Sequence, residues 1–464
     1  MQKLFGEVGT LDVRCYEKFG LNEDILMEHA ANGIANHIRE KFAKNSKVII
    51  VCGSGNNGAD GIALSRLLHL DYDVYLFYVK EAKSHMAILQ QKRAHAVGVK
   101  LTIELNECDV LVDAIVGTGF KGEFNYEAKA VMQTINKLDA YKIACDIPSG
   151  LKSNGQCVQD TFMADISLTM GALKKSMFSD SAKEFVGEIR VLDLGVSRDV
   201  YETSSKWNLL DLDDMKLPYR DKKNTHKGNY GHLAIPCGEK SGASMMSGLA
   251  ALRFGSGLVS LVDAKEPLNM PYTLMHSQKR PLNTTAIACG MGLGNKLSNT
   301  EFKIFLDNSL PMIGDADIFN MPILLEILKR QNLVITPHPK EFVSLLKLTN
   351  IAQITINELQ ENRFKYAKEF SKSYPNITLL LKGANVIIAQ NDKFYINPHG
   401  TSALAKGGSG DVLSGLIGAL LAQGSCPLDA AINASLAHTK LLQSYSGTDF
   451  SLTPDDLIAE IGNL

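Results

Sequence analysis

Acids and small polar residues gather at a few glycine-rich turns of this chain, and their types and spacing point to chemistry on a phosphorylated ligand. The run Gly53-Ser54-Gly55-Asn56-Asn57-Gly58-Ala59-Asp60-Gly61 follows an apolar stretch at residues 48–51 and concentrates the oxygen-bearing side chains of Asn56, Asn57 and Asp60 at one turn. Its glycines permit a tight bend and a close backbone approach to phosphate at a helix start. A second turn, Asp113-Ala114-Ile115-Val116-Gly117-Thr118-Gly119-Phe120, follows residues 110–112, and a third, Asp146-Ile147-Pro148-Ser149-Gly150, follows residues 142–145. One aspartate at the end of an apolar run reads equally well as a turn former. Three such turns in one region favour a site, because a carboxylate can give and take a proton and stabilise a neighbouring cation.

The C-terminal half carries its own constellation, Lys406-Gly407-Gly408-Ser409-Gly410-Asp411, ahead of an apolar helical stretch with Leu413, Leu416, Ile417, Leu420 and Leu421. A helix cap alone does not call for three glycines ahead of it. Backbone N–H groups opening a helix meet a phosphate, and Asp411 then stands beside that phosphoryl group.

Positioning these turns requires strands that end together. From residue 48 to about residue 193, short apolar runs (residues 48–51, 74–79, 110–112 and 142–145) alternate with helical stretches around residues 60–70 and 126–138. That alternation predicts an α/β fold with a parallel sheet, whose ligands bind beyond the carboxyl ends of the strands. The run at residues 74–79 ends in Lys80 before Glu81, where a plain NAD site would have an acid, which weakens a dehydrogenase reading. Residues 204–228 turn polar and charged and read as a domain linker; a second α/β pattern follows, with strands near residues 232–235, 286–289, 333–336, 379–382 and 386–389. Two domains are expected, residues 1–208 and 209–464.

Composition narrows the functional classes. Hydrophobic residues make up 45% of the 464 residues and charged ones 21%, ordinary for a chain that fills sizeable cores. A formal net charge of -2 gives no field favouring nucleic acid or an anionic membrane, so neither is an expected partner. The 8 cysteines form no CxxC pair, which argues against a zinc site or a disulfide framework and fits a reducing cytoplasm. No secretory signal or membrane-spanning stretch is read.

The three N-terminal turns, in this order and spacing, resemble the marks of the NAD(P)H-hydrate epimerase family: an NNGxDG loop, a DxxxGTG turn and a DIPSG turn, with Ala59 standing where a glycine is usual. The resemblance covers about residues 1–205 and implies a Rossmann-like parallel sheet flanked by helices. It implies that Asn56, Asn57, Gly58, Ala59 and Asp60, then Gly117, Thr118, Gly119, Phe120, Lys121, Gly122 and Glu123, and finally Asp146 line the hydrated-nucleotide site. It also implies a potassium ion held by Asn57, Asp113 and Ser149; oxygen ligands suit such a hard cation. Asp146 is the expected acid/base, Asp60 the alternative, and ring opening at the C6 to N1 bond is a further route.

The Gly-Ser-Gly-Asp turn resembles the ribokinase-like superfamily, which implies phosphoryl transfer with Asp411 as the base on the hydroxyl that receives phosphate. Thr225 to Gly231 (THKGNYG), Cys289 to Gly294 (CGMGLG), Thr336 to Glu341 (TPHPKE) and Leu381 to Val386 (LKGANV) together resemble its ADP-dependent NAD(P)H-hydrate dehydratase branch, over about residues 215–464. Met291 and Cys237 depart from the usual proline and glycine. This resemblance implies a ribokinase-like α/β domain, with Ala243, Gly292, His338 and Asp411 at the hydrated nicotinamide. Lys382, Gly383, Ala384, Asn385, Val386 and Gly410 then meet the adenine nucleotide, ADP is the co-substrate, and magnesium offsets the phosphate charge. Taken together, the expected activity is repair of NADHX and NADPHX: an isomerase interconverting R- and S-hydrates, fused to a lyase that dehydrates the S form. A homo-oligomer is expected from the resemblance alone. The competing readings are a ribokinase-like small-molecule kinase fused to a nucleotide-binding domain, and a nucleotide sensor without turnover.

Overall fold

The computed structural model describes residues 1–294, 302–305 and 309–464. The chain forms two compact units, Lys3–Trp207 and Asn208–Leu464, the second joined by Met1–Gln2. All 8 cysteines are free thiols.

The first unit is built on a sheet with the strand order Lys100–Leu101, Asp73–Tyr78, Lys47–Cys52, Val110–Ala114, Tyr141–Cys145, Ile166–Met170, Glu188–Leu192, parallel throughout. Successive side chains of a strand point to opposite faces, and both faces here are apolar, as a sheet covered on both sides requires. Val48, Ile50, Val110, Val112 and Ile143 share one core with Ile34, Ile62 and Met86 from the helices Glu23–Lys41, Asn56–Leu68 and His85–Ala96. Their neighbours Ile49, Val51, Leu111 and Ala144 face the other way, onto Met132 and Ile135 of the helix Tyr126–Lys137. The chain starts in mid-sheet at Lys47–Cys52, runs outward through Asp73–Tyr78, and returns on the other side at Val110–Ala114. Connections therefore diverge between these two central strands, which opens a crevice beyond their carboxyl ends.

The second unit carries the strands Lys393–Asn397, Val386–Gln390, Ile377–Leu381, Leu333–Ile335, Met312–Gly314, Ala286–Cys289, His232–Pro236, Leu258–Val262 and Met275–Ser277 in that order. From Ile377–Leu381 to Met275–Ser277 all neighbours are parallel; the remaining two pair antiparallel as a hairpin. The helices Ser241–Arg253, Ser409–Ala422 and Pro427–Ser444 bury their apolar faces on one side of this sheet. The direction of the chain again reverses between His232–Pro236 and Ala286–Cys289.

The segment at residues 204–228 is not the simple linker expected. Leu209 and Leu210 are buried, Leu210 N donates to Ile396 O at 2.9 Å, and Leu212, Met215 and Leu217 pack on the second core. Apolar residues spaced between the charges decide this, since each buried Leu contributes roughly 1.5–3 kcal/mol. The charged stretch at residues 220–224 is exposed.

Candidate functional site

In the first unit the three glycine-rich turns line one cavity of about 740 Å³. The turns touch backbone to backbone: Gly53 N donates to Ala114 O at 3.0 Å, and a Cβ on Gly53 would sit 1.9 Å from Ile115 O. No larger residue fits there. Beyond Gly53 the helix Asn56–Leu68 begins, and among the described residues no acceptor takes the amides of Asn56, Asn57 and Gly58. These N–H groups are the orphan donors of a helix start and suit an anion. Asn56, Asn57, Asp60, Gly117, Thr118, Gly119, Phe120, Lys121, Glu123 and Asp146 all border the cavity, whereas Gly58 and Ala59 form the buried backbone beneath it. Gly122 lies in the same exposed turn without bordering the cavity. Ala59 starts the helix fully buried, so a glycine is not needed for this geometry.

Two of the acids differ sharply in setting. Asp60 is buried; desolvation first, then the charges of Asp146 and Asp12, push its carboxyl well above the usual range and favour the neutral acid. Asp146 sits at φ +73°, a left-handed conformation costing a non-glycine residue about 1 kcal/mol or more, and its Oδ1 accepts from Lys174 Nζ at 2.6 Å.

Asp113 does not border the cavity; it is fully buried behind it. Its Oδ2 accepts from Ser149 N at 2.7 Å, and its Oδ1 from Ser149 Oγ at 2.6 Å and Ile115 N at 3.1 Å. Burial raises its carboxyl to about 6 against these hydrogen bonds, and no lysine or arginine among the described residues pairs with it. The nearby Asn57 amide nitrogen is buried without a hydrogen-bond partner, and Asn57 Oδ1 packs within 3.6 Å of a Cβ built on Gly117. A buried carboxylate that no lysine or arginine among the described residues offsets, bonded to a serine hydroxyl, together with the Asn57 amide packed on Gly117, is a donor set whose chemistry fits a potassium ion. Among the described residues no cluster of three His, Cys, Asp or Glu suggests a different metal.

In the second unit Gly408, at φ +92°, caps the helix Ser409–Ala422. Ser409 N and Val412 N are taken by Lys406 O and Gly408 O, leaving the amides of Gly410 and Asp411 without a protein acceptor among the described residues. Desolvation, then the Asp315 charge, pushes the Asp411 carboxyl up to about 6. Lys382 Nζ donates to Asp315 Oδ1 at 2.7 Å, Ser414 Oγ donates to Asp315 Oδ2 at 2.8 Å, and a Cβ on Gly410 would lie 3.5 Å from Lys382 Nζ. Lys382 is thus brought to the helix opening.

Gly383, Ala384, Asn385 and Val386 follow Lys382 in the hairpin turn, whose carbonyls at Leu381, Lys382 and Asn385 are held by the buried Arg363. At the other sheet reversal a Cβ on Gly292 would sit 3.1 Å from Ala243 Cβ, so these two residues also meet. His338 caps the helix Pro339–Leu348, its Nδ1 accepting from Lys340 N at 3.2 Å and Glu341 N at 3.4 Å; burial and then the Lys382 charge lower its pKa.

Comparison with known proteins gives the family. A family described as NAD(P)H-hydrate dehydratase matches residues 233–462, and one described as YjeF-related protein N-terminus matches residues 23–176. The bifunctional NAD(P)H-hydrate repair enzyme Nnr of Helicobacter pylori (strain ATCC 700392 / 26695) is 44% identical over 100% of both chains. This chain belongs to the bifunctional NAD(P)H-hydrate repair enzymes. The Coxiella burnetii (strain RSA 493 / Nine Mile phase I) member is 30% identical, covering 87% of this chain and 86% of its own. An ADP/ATP-dependent NAD(P)H-hydrate dehydratase from Bacillus subtilis, co-crystallised with ATP/Mg2+, is 28% identical with a TM-score of 0.46, covering 54% of this chain and 94% of that one.

For a member of this repair family, the tertiary structure adds residues that sequence reasoning missed. Asp12, Tyr16, Glu23, Lys174 and Tyr201 border the N-terminal cavity, and Tyr201 OH donates to Asp12 Oδ1 at 2.7 Å. Asp315 joins the C-terminal site. None sits in a glycine-rich turn. Asp315 did carry a signal, since it directly follows the strand Met312–Gly314 as Asp146 follows Tyr141–Cys145.

Proposed function

We propose that residues 1–208 interconvert the R- and S-hydrates of NADH and NADPH, and that residues 209–464 dehydrate the S form at the expense of ADP. The observation that carries this reading is the presence, in one chain, of two helix openings with free amides, each next to a carboxyl group whose ordinary protonation is displaced by burial.

In the first unit, hydroxide departs from C6 of the hydrated ring as the N1 lone pair forms the cationic iminium, and water returns on the opposite face. Asp146 is the acid/base for these proton transfers, with Asp60 as the alternative, and a carboxylate beside the ring stabilises the cation. Asn56 to Asp60 and Gly117 to Glu123 hold the dinucleotide. Asn57, Asp113 and Ser149 would hold potassium, which would supply fixed positive charge to the site. Potassium chloride in place of tetramethylammonium chloride is expected to raise the unfolding midpoint of this unit, by roughly 2–4 °C for each kcal/mol of ion binding. Asp113→Asn should abolish that difference in differential scanning calorimetry.

In the second unit, Asp411 takes the proton of the C6 hydroxyl as its oxygen attacks the terminal phosphoryl of ADP, and AMP leaves. Phosphate is then expelled from C6 with help from the N1 lone pair, and loss of a C5 proton gives NAD(P)H. Ala243, Gly292 and His338 face the hydrate; the free amides of Gly410 and Asp411 and the Lys382 ammonium face the nucleotide. Asp315 is already paired with Lys382 and Ser414, and a magnesium ion carried by the nucleotide would neutralise phosphate charge. Lys382→Met is expected to raise KM for ADP by about 10-fold or more, since a charge-assisted hydrogen bond contributes about 1.5–3 kcal/mol. Initial rates against ADP concentration check this.

The decisive experiment incubates the protein with an R/S mixture of hydrated NADH, magnesium and ADP. Both epimers should vanish as NADH, AMP and phosphate appear. Bound hydrate without turnover would favour a sensor, and phosphorylation of an unrelated alcohol a kinase. A homo-oligomer in the cytoplasm belongs to the same proposal, and light scattering tests its first part. Among the described residues no helix is long and apolar enough to cross a membrane.

A further inference from the structure

Asp146 uses its two carboxylate oxygens unequally. Oδ1 accepts three donors: Lys174 Nζ at 2.6 Å, Met170 N at 3.0 Å and Thr169 Oγ1 at 3.3 Å. Oδ2 accepts none from the protein among the described residues, although Asp146 borders the cavity. Lys174 is itself fully engaged. Its ammonium donates to Asp146 Oδ1, to Thr169 Oγ1 at 2.9 Å and to Met170 O at 3.1 Å, and the residue is 1% exposed. An ammonium has three protons, and all three are committed, so Lys174 has none left for a ligand. A lysine buried this completely is retained only with a charge partner, and here the partner is Asp146.

We infer that Lys174 is a positioning residue for the first unit's reaction: by holding Asp146 Oδ1 it fixes the carboxylate plane and presents Oδ2 as the one atom through which protons pass at C6. This deepens, and rests on, the assignment of Asp146 as the acid/base. Carboxylates on a strand end rotate about χ2 unless restrained, and a proton carrier that serves both faces of the ring must stay at one place while the hydroxyl leaves and water returns. Three donors on a single oxygen supply that restraint. They come from Met170, which ends its strand, and from Thr169 and Lys174 on either side of it. The left-handed backbone of Asp146 turns the side chain toward them. Misplacing a reacting group by about 1 Å costs on the order of 100-fold in rate.

The test is a double-mutant cycle on the full-length chain, with the second unit's ADP-dependent activity as an internal control. Lys174→Met should lower the epimerisation kcat by about 100-fold. KM for the hydrate should stay within about threefold, a split that loss of binding or of fold does not give. In the Asp146→Asn background the same substitution should cost almost nothing more, because Lys174 acts through Asp146. Thr169→Val leaves no unpaired charge, so it remains informative if Lys174→Met does not fold; it should lower kcat severalfold at unchanged KM. Wild-type kcat in Lys174→Met, or in Thr169→Val where the former is unfolded, or losses that multiply fully with Asp146→Asn, would overturn the inference while leaving Asp146 in place. Full epimerisation by Asp146→Asn alone would instead sink the assignment of Asp146, and the inference with it.

Discussion

Asp411→Asn is expected to remove ADP-dependent dehydration by roughly 10²–10⁴-fold while leaving epimerisation at the wild-type rate. The amide has the shape of the carboxyl but cannot take the hydroxyl proton. Asp411 stands in the first turn of the helix Ser409–Ala422, beside the Gly410 and Asp411 amides that no protein acceptor takes among the described residues and that form the proposed phosphate site. Its pKa, pushed up to about 6 by burial and by Asp315, predicts the sign of a pH effect as well. A base must be ionised to act, so dehydration by the wild-type chain should fall below a pH of about 6 and level off above it, provided ADP ionisation is separated by saturating nucleotide. Asp411→Asn, lacking the titrating group, should show no such limb. Loss of both activities in a folded variant would contradict two independent sites.

The second large effect belongs to Asp146→Asn. It should slow enzymatic epimerisation by roughly 10²–10⁴-fold and leave ADP-dependent dehydration intact. Mixed hydrates make the result visible in one progress curve. With the wild-type chain, NADH recovery should proceed to completion as R-hydrate is fed into the S pool. With Asp146→Asn, recovery should stop once the S form is consumed, with the R form persisting on a chiral-resolving column. A curve that still runs to completion would move the acid/base role to Asp60, another carboxyl bordering the cavity, whose pKa burial pushes up.

Much of the architecture was legible because parallel sheets write themselves into sequence as short apolar runs separated by amphipathic helices. The runs ending near Cys52, Ala114 and Cys145 became adjacent strands, and each glycine-rich or aspartate-led turn fell at their carboxyl ends. The segment at residues 204–228 was misjudged because its charges outnumber its apolar residues, while Leu209, Leu210, Leu212, Met215 and Leu217 nonetheless reach a core. Strands such as Ile166–Met170 and Leu258–Val262 gave no turn motif to mark them and were not anticipated.

By itself, the sequence determined what depends on local chain chemistry: two α/β units, glycines where a helix opens onto phosphate, and Asp146 and Asp411 at the turns that follow. It could not say what those acids would meet. Lys174 lies 28 residues from Asp146, and Asp315 lies 67 residues from Lys382. Only the folded sheet brings such groups to bonding distance. Burial, which moves the carboxyls of Asp60, Asp113 and Asp411 upward, is likewise a property of the whole fold, because it is set by atoms from many segments that displace water around one group.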